Sequence, residues 1–271
     1  MRTPITYYGG KQRLAKTIIS MMPSHKIYCE PFFGGGAVFF DKPKSKVEII
    51  NDIDNRLINF YLQSQNNFSE LQKLIKSTLH SETMYLHAKD IWNERIESSD
   101  LQKAWAIWLI TNGSFAGSMH GGWKWCNGSS GSHSAIMVRN KRLEFSEQLH
   151  IRLSDVQISC RDAIRVILER DSPDTLFYID PPYPGSYQGH YRGYTHNDLF
   201  NLLQVLSKIK GKFILSQYFT HTLKYHVMKY SWNFRTERLN LKLTHLGKSH
   251  TEYRTEILIY NYELQKTLFS I

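Results

Sequence analysis

A carboxylate followed by two prolines and a tyrosine, Asp180-Pro181-Pro182-Tyr183, is the stretch of this 271-residue chain best suited to chemistry. The apolar run Leu176-Phe177-Tyr178-Ile179 leads into it. That run predicts a buried strand over Leu176 to Asp180, stopping abruptly because proline supplies no further ladder donor. In open α/β sheets the carboxyl ends of the strands are where ligands bind. The adjacent aromatic, on a backbone with little freedom, offers a fixed stacking face for a flat molecule. The same residues also make an ordinary turn, so the remaining motifs have to be weighed with them.

Three other stretches have comparable character. Tyr7-Tyr8-Gly9-Gly10-Lys11 precedes a helical pattern carrying Leu14, Ile18 and Met21 on one face and closed by Pro23. Its glycines let the backbone approach a ligand, and Lys11 at the helix start leaves an ammonium nearby. Next, Ile27-Tyr28-Cys29-Glu30 reads as a strand, Pro31-Phe32-Phe33-Gly34-Gly35-Gly36 as a glycine turn and Ala37-Val38-Phe39-Phe40 as the opening of a helix. That order aims free N–H groups and a positive dipole end at a bound polar group. The full dinucleotide fingerprint and the Gly-Lys-Ser/Thr of a P-loop are both missing, so neither nicotinamide nor ATP is favoured. Third, Val47-Glu48-Ile49-Ile50 reads as a second strand ending in Asn51-Asp52-Ile53-Asp54. Asp52 stands where such folds hold the ribose hydroxyls of an adenosine-containing cofactor. Asp52 or Asp54 would equally cap the helix from Asn55, worth about 1 kcal/mol.

The elements between these motifs predict an α/β fold with a doubly wound, mostly parallel sheet. Phe60 to Asn112 reads as continuously helical, its apolar residues serving packing. Gly113 to Arg142 reads instead as a long polar loop, with Phe115, Trp123 and Trp125 interleaved among Lys124, Arg139, Lys141 and Arg142. No acidic residue occurs between Leu101 and Leu143, and cations with aromatics but no carboxylates favour nucleic acid; a flexible solvated loop is the other reading. A helix near Leu143 to Leu153 follows, then strand Val156 to Cys160 with its helix Ala163 to Leu168, the central strand, helix Asn197 to Ser207 and strand Lys212 to Ser216. Phe234 to Leu239 and Thr255 to Tyr262 predict a closing antiparallel hairpin around a loop with Lys242, His245, Lys248 and His250. The expected organisation is a discontinuous catalytic domain, 1–56 and 156–271, interrupted by a mainly helical recognition domain, 57–155.

A net charge of +10 points to an anionic partner, nucleic acid foremost. Cys29, Cys126 and Cys160 form no C-x-x-C pair and signal neither a disulfide framework nor zinc. No apolar run reaches the roughly 20 residues of a membrane span, and the basic N-terminal segment is unlike an export signal. A cytoplasmic protein without metal or membrane partner, and monomeric, is expected.

Taken in chain order, the glycine-lysine segment, the F-x-G-x-G of Phe32, Gly34 and Gly36, a helical insert and D-P-P-Y resemble the DNA adenine N6-methyltransferases of the D12 (Dam) class. Arg254 to Tyr262 is similar to that class's closing strand, and the insert matches in position and general character. The resemblance implies a Rossmann-like methyltransferase fold and S-adenosylmethionine as cofactor. It also implies transfer to the exocyclic amine of an adenine flipped out of double-stranded DNA. Tyr7 takes the place of the aromatic that packs on the cofactor, Lys11 that of the family's lysine, and Asp52 that of the ribose acceptor. Phe33, Gly34 and Gly36 would line the methionine end, with Asp180, Pro181 and Tyr183 at the reacting amine. Tyr7-Tyr8 stands where Dam has tryptophan and alanine, so either tyrosine could stack. The insert lacks Dam's recognition residues, and its sequence specificity is not carried over. DNA contacts are expected from Trp123, Lys124, Arg139, Lys141 and Arg142, and from Lys248 in the later loop.

The chemistry suits the residues. Adenine N6 is a poor nucleophile because its lone pair is delocalised into the ring, and acceptors on its two hydrogens would localise that pair toward a sulfonium methyl. Cytosine-C5 methylation needs a Pro-Cys nucleophile, and no cysteine here follows a proline. Cytosine-N4 methylation, usually with serine before Pro-Pro-Tyr, RNA adenine methylation and a catalytically silent nucleic-acid-binding relative stay open as alternatives.

Overall fold

In the computed structural model the protein is described for residues 1–126, 133–185, 193–245 and 248–264, with the backbone alone for residue 116 and residues 239–254. Ser186 and Tyr187, at the exit from the acidic motif, and the middle of the glycine- and serine-rich stretch lie outside the described residues.

The strands are β1 (Ile27–Glu30), β2 (Val47–Asn51), β3 (Gln157–Ser159), β4 (Thr175–Ile179), β5 (Lys212–Gln217), β6 (Asn233–His245) and β7 (Lys248–Tyr260). Among the described residues they form one sheet in the order β3-β2-β1-β4-β5-β7-β6. β1 to β5 pair in parallel, and β7 inserts antiparallel between β5 and β6. Leu176 and Tyr178 of β4 enter the core on one face, Phe177 and Ile179 that on the other. Burial on both faces is why the sequence there is a continuous apolar run rather than an alternating one.

Helices α1 (Ala15–Met21) and α2 (Ala37–Asp41) adjoin β1. Between β2 and β3 come α3 (Asn55–Asn66), α4 (Phe68–Ser77), α5 (Glu82–Trp92), α6 (Asp100–Gly113), α7 (Ser134–Glu144) and α8 (Glu147–Leu153). Their apolar residues, Tyr85, Trp108 and Leu149 among them, share one core with Ile5, Tyr7, Tyr28 and Tyr178. The other face is covered by α9 (Ala163–Arg170), α10 (His196–Leu206) and α11 (His221–Lys229).

Three sequence expectations need correction. The helical stretch from Phe60 to Asn112 is divided by capping serines: Ser81 accepts from Met84 N, and Ser99 closes a capping box with Gln102. The expected loop from Gly113 to Arg142 ends in α7, so Arg139, Lys141 and Arg142 sit on a helix. Buried Ser134 and Val138 anchor that helix, and its sequence contains no glycine or proline. Finally, the expected loop around Lys242, His245, Lys248 and His250 is strand, because β6 and β7 stay paired out to His245 and Lys248. No helix among the described residues is long and apolar enough to cross a membrane.

A buried ion cluster fastens the last insert helix to the sheet. Lys42 and Arg152 both bind Glu48 of β2, and the Lys42 and Glu48 side chains are each 1% exposed. Arg152 also stacks 3.6 Å over the Phe39 ring and donates to its carbonyl at 2.9 Å. Burial pushes the Glu48 carboxyl up, but hydrogen bonds from Arg152 and Lys42 outweigh it and hold the group below its ordinary value. Glu48→Gln, which leaves two cations without their anion, is expected to lower stability by roughly 3–5 kcal/mol in urea unfolding. A carboxyl depressed in the folded state stabilises at pH values above its unfolded pKa and loses that contribution on acidification. The wild-type advantage should therefore shrink below about pH 4.5; a gap that stays constant into acid would show that the cluster's charge is not its contribution.

Candidate active site

β1 and β4 are neighbours in the sheet, yet their chains continue to opposite sides of it, toward β2 and toward β5. Such a reversal opens a crevice at the carboxyl ends of the strands. Glu30 closes β1 there, and Asp180 follows the last residue of β4.

The turn after β1 is shaped by glycine. Gly34 and Gly36 have φ of +50° and +64°, and a Cβ on Gly36 would lie 2.5 Å from the Phe33 ring. At Gly35 a Cβ would stand 2.7 Å from Tyr7 Cβ, so the missing side chain is what lets Tyr7 lie on the turn. Phe33 packs inward, edge-on to Tyr61 at 4.8 Å and Phe39 at 5.4 Å. Asp52, 2% exposed, accepts from Gly34 N at 2.8 Å and Asp54 N at 3.0 Å. Asp54 is the residue that caps α3, accepting from Arg56 N at 3.0 Å. Of the two acids, it is therefore Asp54 whose side chain caps α3.

Lys11 lies in a turn ahead of α1 rather than at its start, its carbonyl accepting from Leu14 N. Its side chain is 8% exposed and its Nζ is 2.9 Å from Asp180 Oδ1, while donating to the Gly9 carbonyl at 3.0 Å. It also stands 5.0 Å over the Tyr183 ring. Burial alone would depress this ammonium; the attraction of Asp180, with Tyr183 and Glu256 adding to it, carries its pKa above the usual range. Burial likewise pushes the Asp180 carboxyl up, with Lys11 pulling against it.

Tyr183 ties these groups to the neighbouring strands. Its hydroxyl lies 3.3 Å from Asp180 Oδ1, 3.1 Å from Ser216 Oγ of β5 and 3.5 Å from Glu256 Oε2 of β7. Ser216 in turn donates to Glu256 at 3.3 Å. Sequence reasoning gave no role to Ser216, Glu256 or Tyr218, which stands edge-on to Tyr183 at 4.5 Å. Nor did it give one to Glu30, whose carboxyl burial pushes up to about 8 against a hydrogen bond from Tyr28. Glu30 carries the signal that marked Asp180, an acid ending an apolar strand. Ser216 and Glu256 become neighbours only through the order of the strands.

A cavity of about 170 Å³ is bounded by Tyr7, Tyr8, Lys11, the glycine turn, Asp180 and Tyr183. A second, of about 420 Å³, contains Asp52, Arg56, Tyr194 and Asp198 and shares Phe32 and Pro182 with the first. Asn112 of α6 holds the approach to Tyr7: its Oδ1 accepts from Thr6 N at 3.1 Å and Thr6 Oγ at 3.0 Å, and its Nδ2 donates to the Pro4 carbonyl at 3.2 Å.

The residues expected to meet DNA are not gathered at this crevice. Trp123 is half-buried and packs at a tilt of 31° against His80 with ring centres 5.0 Å apart, and Lys124 reaches Met137 Sδ at 3.2 Å. Arg139 is exposed on α7, where it lines a separate cleft with Lys76 and Arg142. Lys141 turns inward instead, donating to the Thr3 carbonyl at 2.6 Å and pairing with Glu144 at 3.3 Å. Lys248 is the first residue of β7.

Known proteins are similar to this chain in sequence. Type II methyltransferase M1.LlaDCHI of Lactococcus lactis subsp. cremoris is 28% identical over 269 residues, covering 94% of this chain and 93% of its own length. Modification methylase StsI of Streptococcus sanguinis is 23% identical over 97% of this chain, which spans 43% of that larger protein. The retron Ec67 DNA adenine methylase of Escherichia coli is 24% identical over 76% of this chain and 72% of its own. A family model matches residues 7–245, and by that match the chain belongs to the D12 class of N6 adenine-specific DNA methyltransferases.

Proposed function

We propose that this chain transfers the methyl group of S-adenosylmethionine to N6 of an adenine flipped out of double-stranded DNA, at the crevice between β1 and β4. The observation that carries the reading is Asp180, fixed by Lys11 and Tyr183 at a strand end beside a cavity that contains Asp52. Two adjoining cavities suit an extended cofactor. Asp52 would accept from the ribose hydroxyls, the turn through Gly34 and Gly36 would face the methionine end, and Tyr7 and Tyr8 supply flat walls. The bound cofactor supplies an electrophilic methyl on a sulfonium.

Among the described residues, Lys11 and Tyr183 both engage Oδ1 of Asp180; on this reading Oδ2 accepts one N6 hydrogen and the Pro181 carbonyl the other. Accepting both hydrogens localises the nitrogen lone pair, and the carboxylate attracts the positive charge that grows on N6 during transfer. Because two groups already hold the acceptor, little reorganisation is left for the reaction itself. The proton released from N6 passes to Asp180. Removing the base from a duplex costs a few kcal/mol, and cations outside the crevice, Lys124, Arg139 and Arg142 among them, would offset it through phosphate contacts. Lys141, engaged by Thr3 and Glu144, is left out of that set.

Asp180→Asn keeps the shape and leaves less strain around Lys11 than alanine would. It should retain cofactor and DNA binding while losing methyl transfer by roughly 3 kcal/mol or more, over 100-fold, in a tritiated-methyl assay. Turnover near that of the wild type would end the assignment of Asp180. The same assay on RNA and on cytosine-bearing duplexes separates the alternative substrates.

The acid limb of the pH–rate profile follows from the same carboxyl. Transfer needs Asp180 ionised, and burial raises its pKa above the ordinary 3.8. Activity should therefore fall on acidification at a pH above the usual aspartate range. Lys11→Met removes the attraction that opposes burial, so its acid limb should move to still higher pH; an unmoved limb would separate Lys11 from the titration.

Asp52→Ala should weaken S-adenosylmethionine by about 1–3 kcal/mol in calorimetry, since a charged acceptor is lost and the Gly34 turn is released. Asp54→Ala should cost α3 its cap, about 1 kcal/mol of stability, without changing cofactor affinity. Equal effects of the two on the cofactor would make both acids merely structural.

A further inference from the structure

β7 runs antiparallel to β5, with Ile214 opposite Tyr260 and Gln217 opposite Ile257. β5 stops at Gln217, but β7 and β6 remain paired for another stretch, from Leu239 opposite Arg254 to His245 opposite Lys248. The two strands therefore leave the sheet as a ribbon past the carboxyl end of β5. That end is the one carrying Asp180, because Ile179 pairs with Leu215 in parallel. Glu256, at the root of the ribbon, lies within 3.5 Å of the Tyr183 hydroxyl. At about 3.4 Å per residue, seven rungs reach on the order of 20 Å beyond the sheet.

Directly opposite residues of an antiparallel pair share a face. One face of the ribbon carries Asn240 with Tyr253, Lys242 with Thr251 and Thr244 with Ser249. Every one of these residue types forms hydrogen bonds, and none is acidic. The other face pairs Leu239 with Arg254, Leu241 with Glu252, Leu243 with His250 and His245 with Lys248. A free two-stranded ribbon is marginal in water, and its long open edge invites pairing, so its presence beside the crevice calls for a partner. The B-DNA major groove, about 12 Å wide, admits a two-stranded ribbon and displays donors and acceptors that differ for every base pair.

We propose that the ribbon of residues 239–245 and 248–254 lies in the major groove beside the flipped adenine, with the face of Asn240, Lys242, Thr244, Ser249, Thr251 and Tyr253 reading the neighbouring bases. This rests on the DNA methyltransferase reading and names the element that chooses the site. It adds to the stretch Gly113 to Arg142, where the composition placed DNA contact, a strand pair that emerges at the catalytic edge.

The test joins Asn240 to Tyr253 through an asparagine-glycine turn, removing residues 241–252 and keeping every rung that contacts β5. S-adenosylmethionine affinity and the melting temperature should be unchanged. Affinity for duplex DNA should drop by at least ~10-fold, and mapping of methylated adenines should show a relaxed motif. A full-length variant combining Lys242→Ala with Thr251→Ala, which decides the matter if the shortened chain does not fold, should alter preference at a base pair flanking the adenine. Unchanged DNA affinity and an unchanged motif in that variant overturn the proposal and return recognition to the insert. Failure of the parent reading would show differently, in an intact chain that neither binds S-adenosylmethionine nor methylates DNA.

Discussion

The ion pair between Lys11 and Asp180 constrains most of what surrounds it. A carboxylate taken out of water needs a partner held in good geometry, or it takes up a proton instead. The partner here comes from near the N-terminus, far from Asp180 in sequence, so the segment from Thr3 to Lys11 has to be fixed across the sheet edge. Asn112 fixes it at Thr6, the Gly9 carbonyl takes a second hydrogen of the ammonium, and the prolines after Asp180 limit the freedom of the acid. The segment between β2 and β3 thereby contributes to the crevice: α6, apolar and buried along its second half, carries the Asn112 that holds Thr6 beside Tyr7.

A second constraint acts through the glycine turn. Gly34 N donates to the Asp52 carboxylate while Tyr61 donates to the Gly34 carbonyl at 2.9 Å, so the peptide units on both sides of Gly34 are anchored before any ligand arrives. Gly35 is needed for the approach of Tyr7, and Gly36 for the close packing of Phe33. Three consecutive glycines therefore serve three different contacts, and the conformational freedom they bring to the unfolded chain is removed by packing on both sides.

Much of this was legible in the sequence because it rests on short-range signals. An apolar run ended by Asp-Pro-Pro, a glycine turn after Glu30 and an acid after the second strand can each be read without knowing the fold, and the strand-helix alternation supplies the parallel sheet. What escaped depends on long-range pairing or weak amphipathicity. Ser216 and Glu256 join Tyr183 only because β5 and β7 are adjacent. α7 buries little besides Ser134 and Val138, so its polar sequence looked like loop. In the outer part of β6 and β7 the alternation of Leu239, Leu241 and Leu243 with polar residues is itself a strand signal, but residues 248–254 opposite it are polar and charged, and only the cross-strand register joins the two segments.

Charge was the least transferable signal. The net +10 indicates an anionic partner only to the extent that the cations reach solvent, and several of the most conspicuous do not. Lys11 is bound to Asp180, Lys42 and Arg152 share Glu48, and Lys141 is taken by Thr3 and Glu144. Each of these cations is half-buried or more and stabilises the fold or the crevice by neutralising a particular acid or carbonyl. A lysine paired in this way releases no phosphate counterion when DNA binds. Composition can therefore point to nucleic acid without locating the surface that meets it, because it counts a buried ammonium and a solvent-facing one alike. Burial and pairing separate the two, and Arg139, exposed on α7, is of the solvent-facing kind.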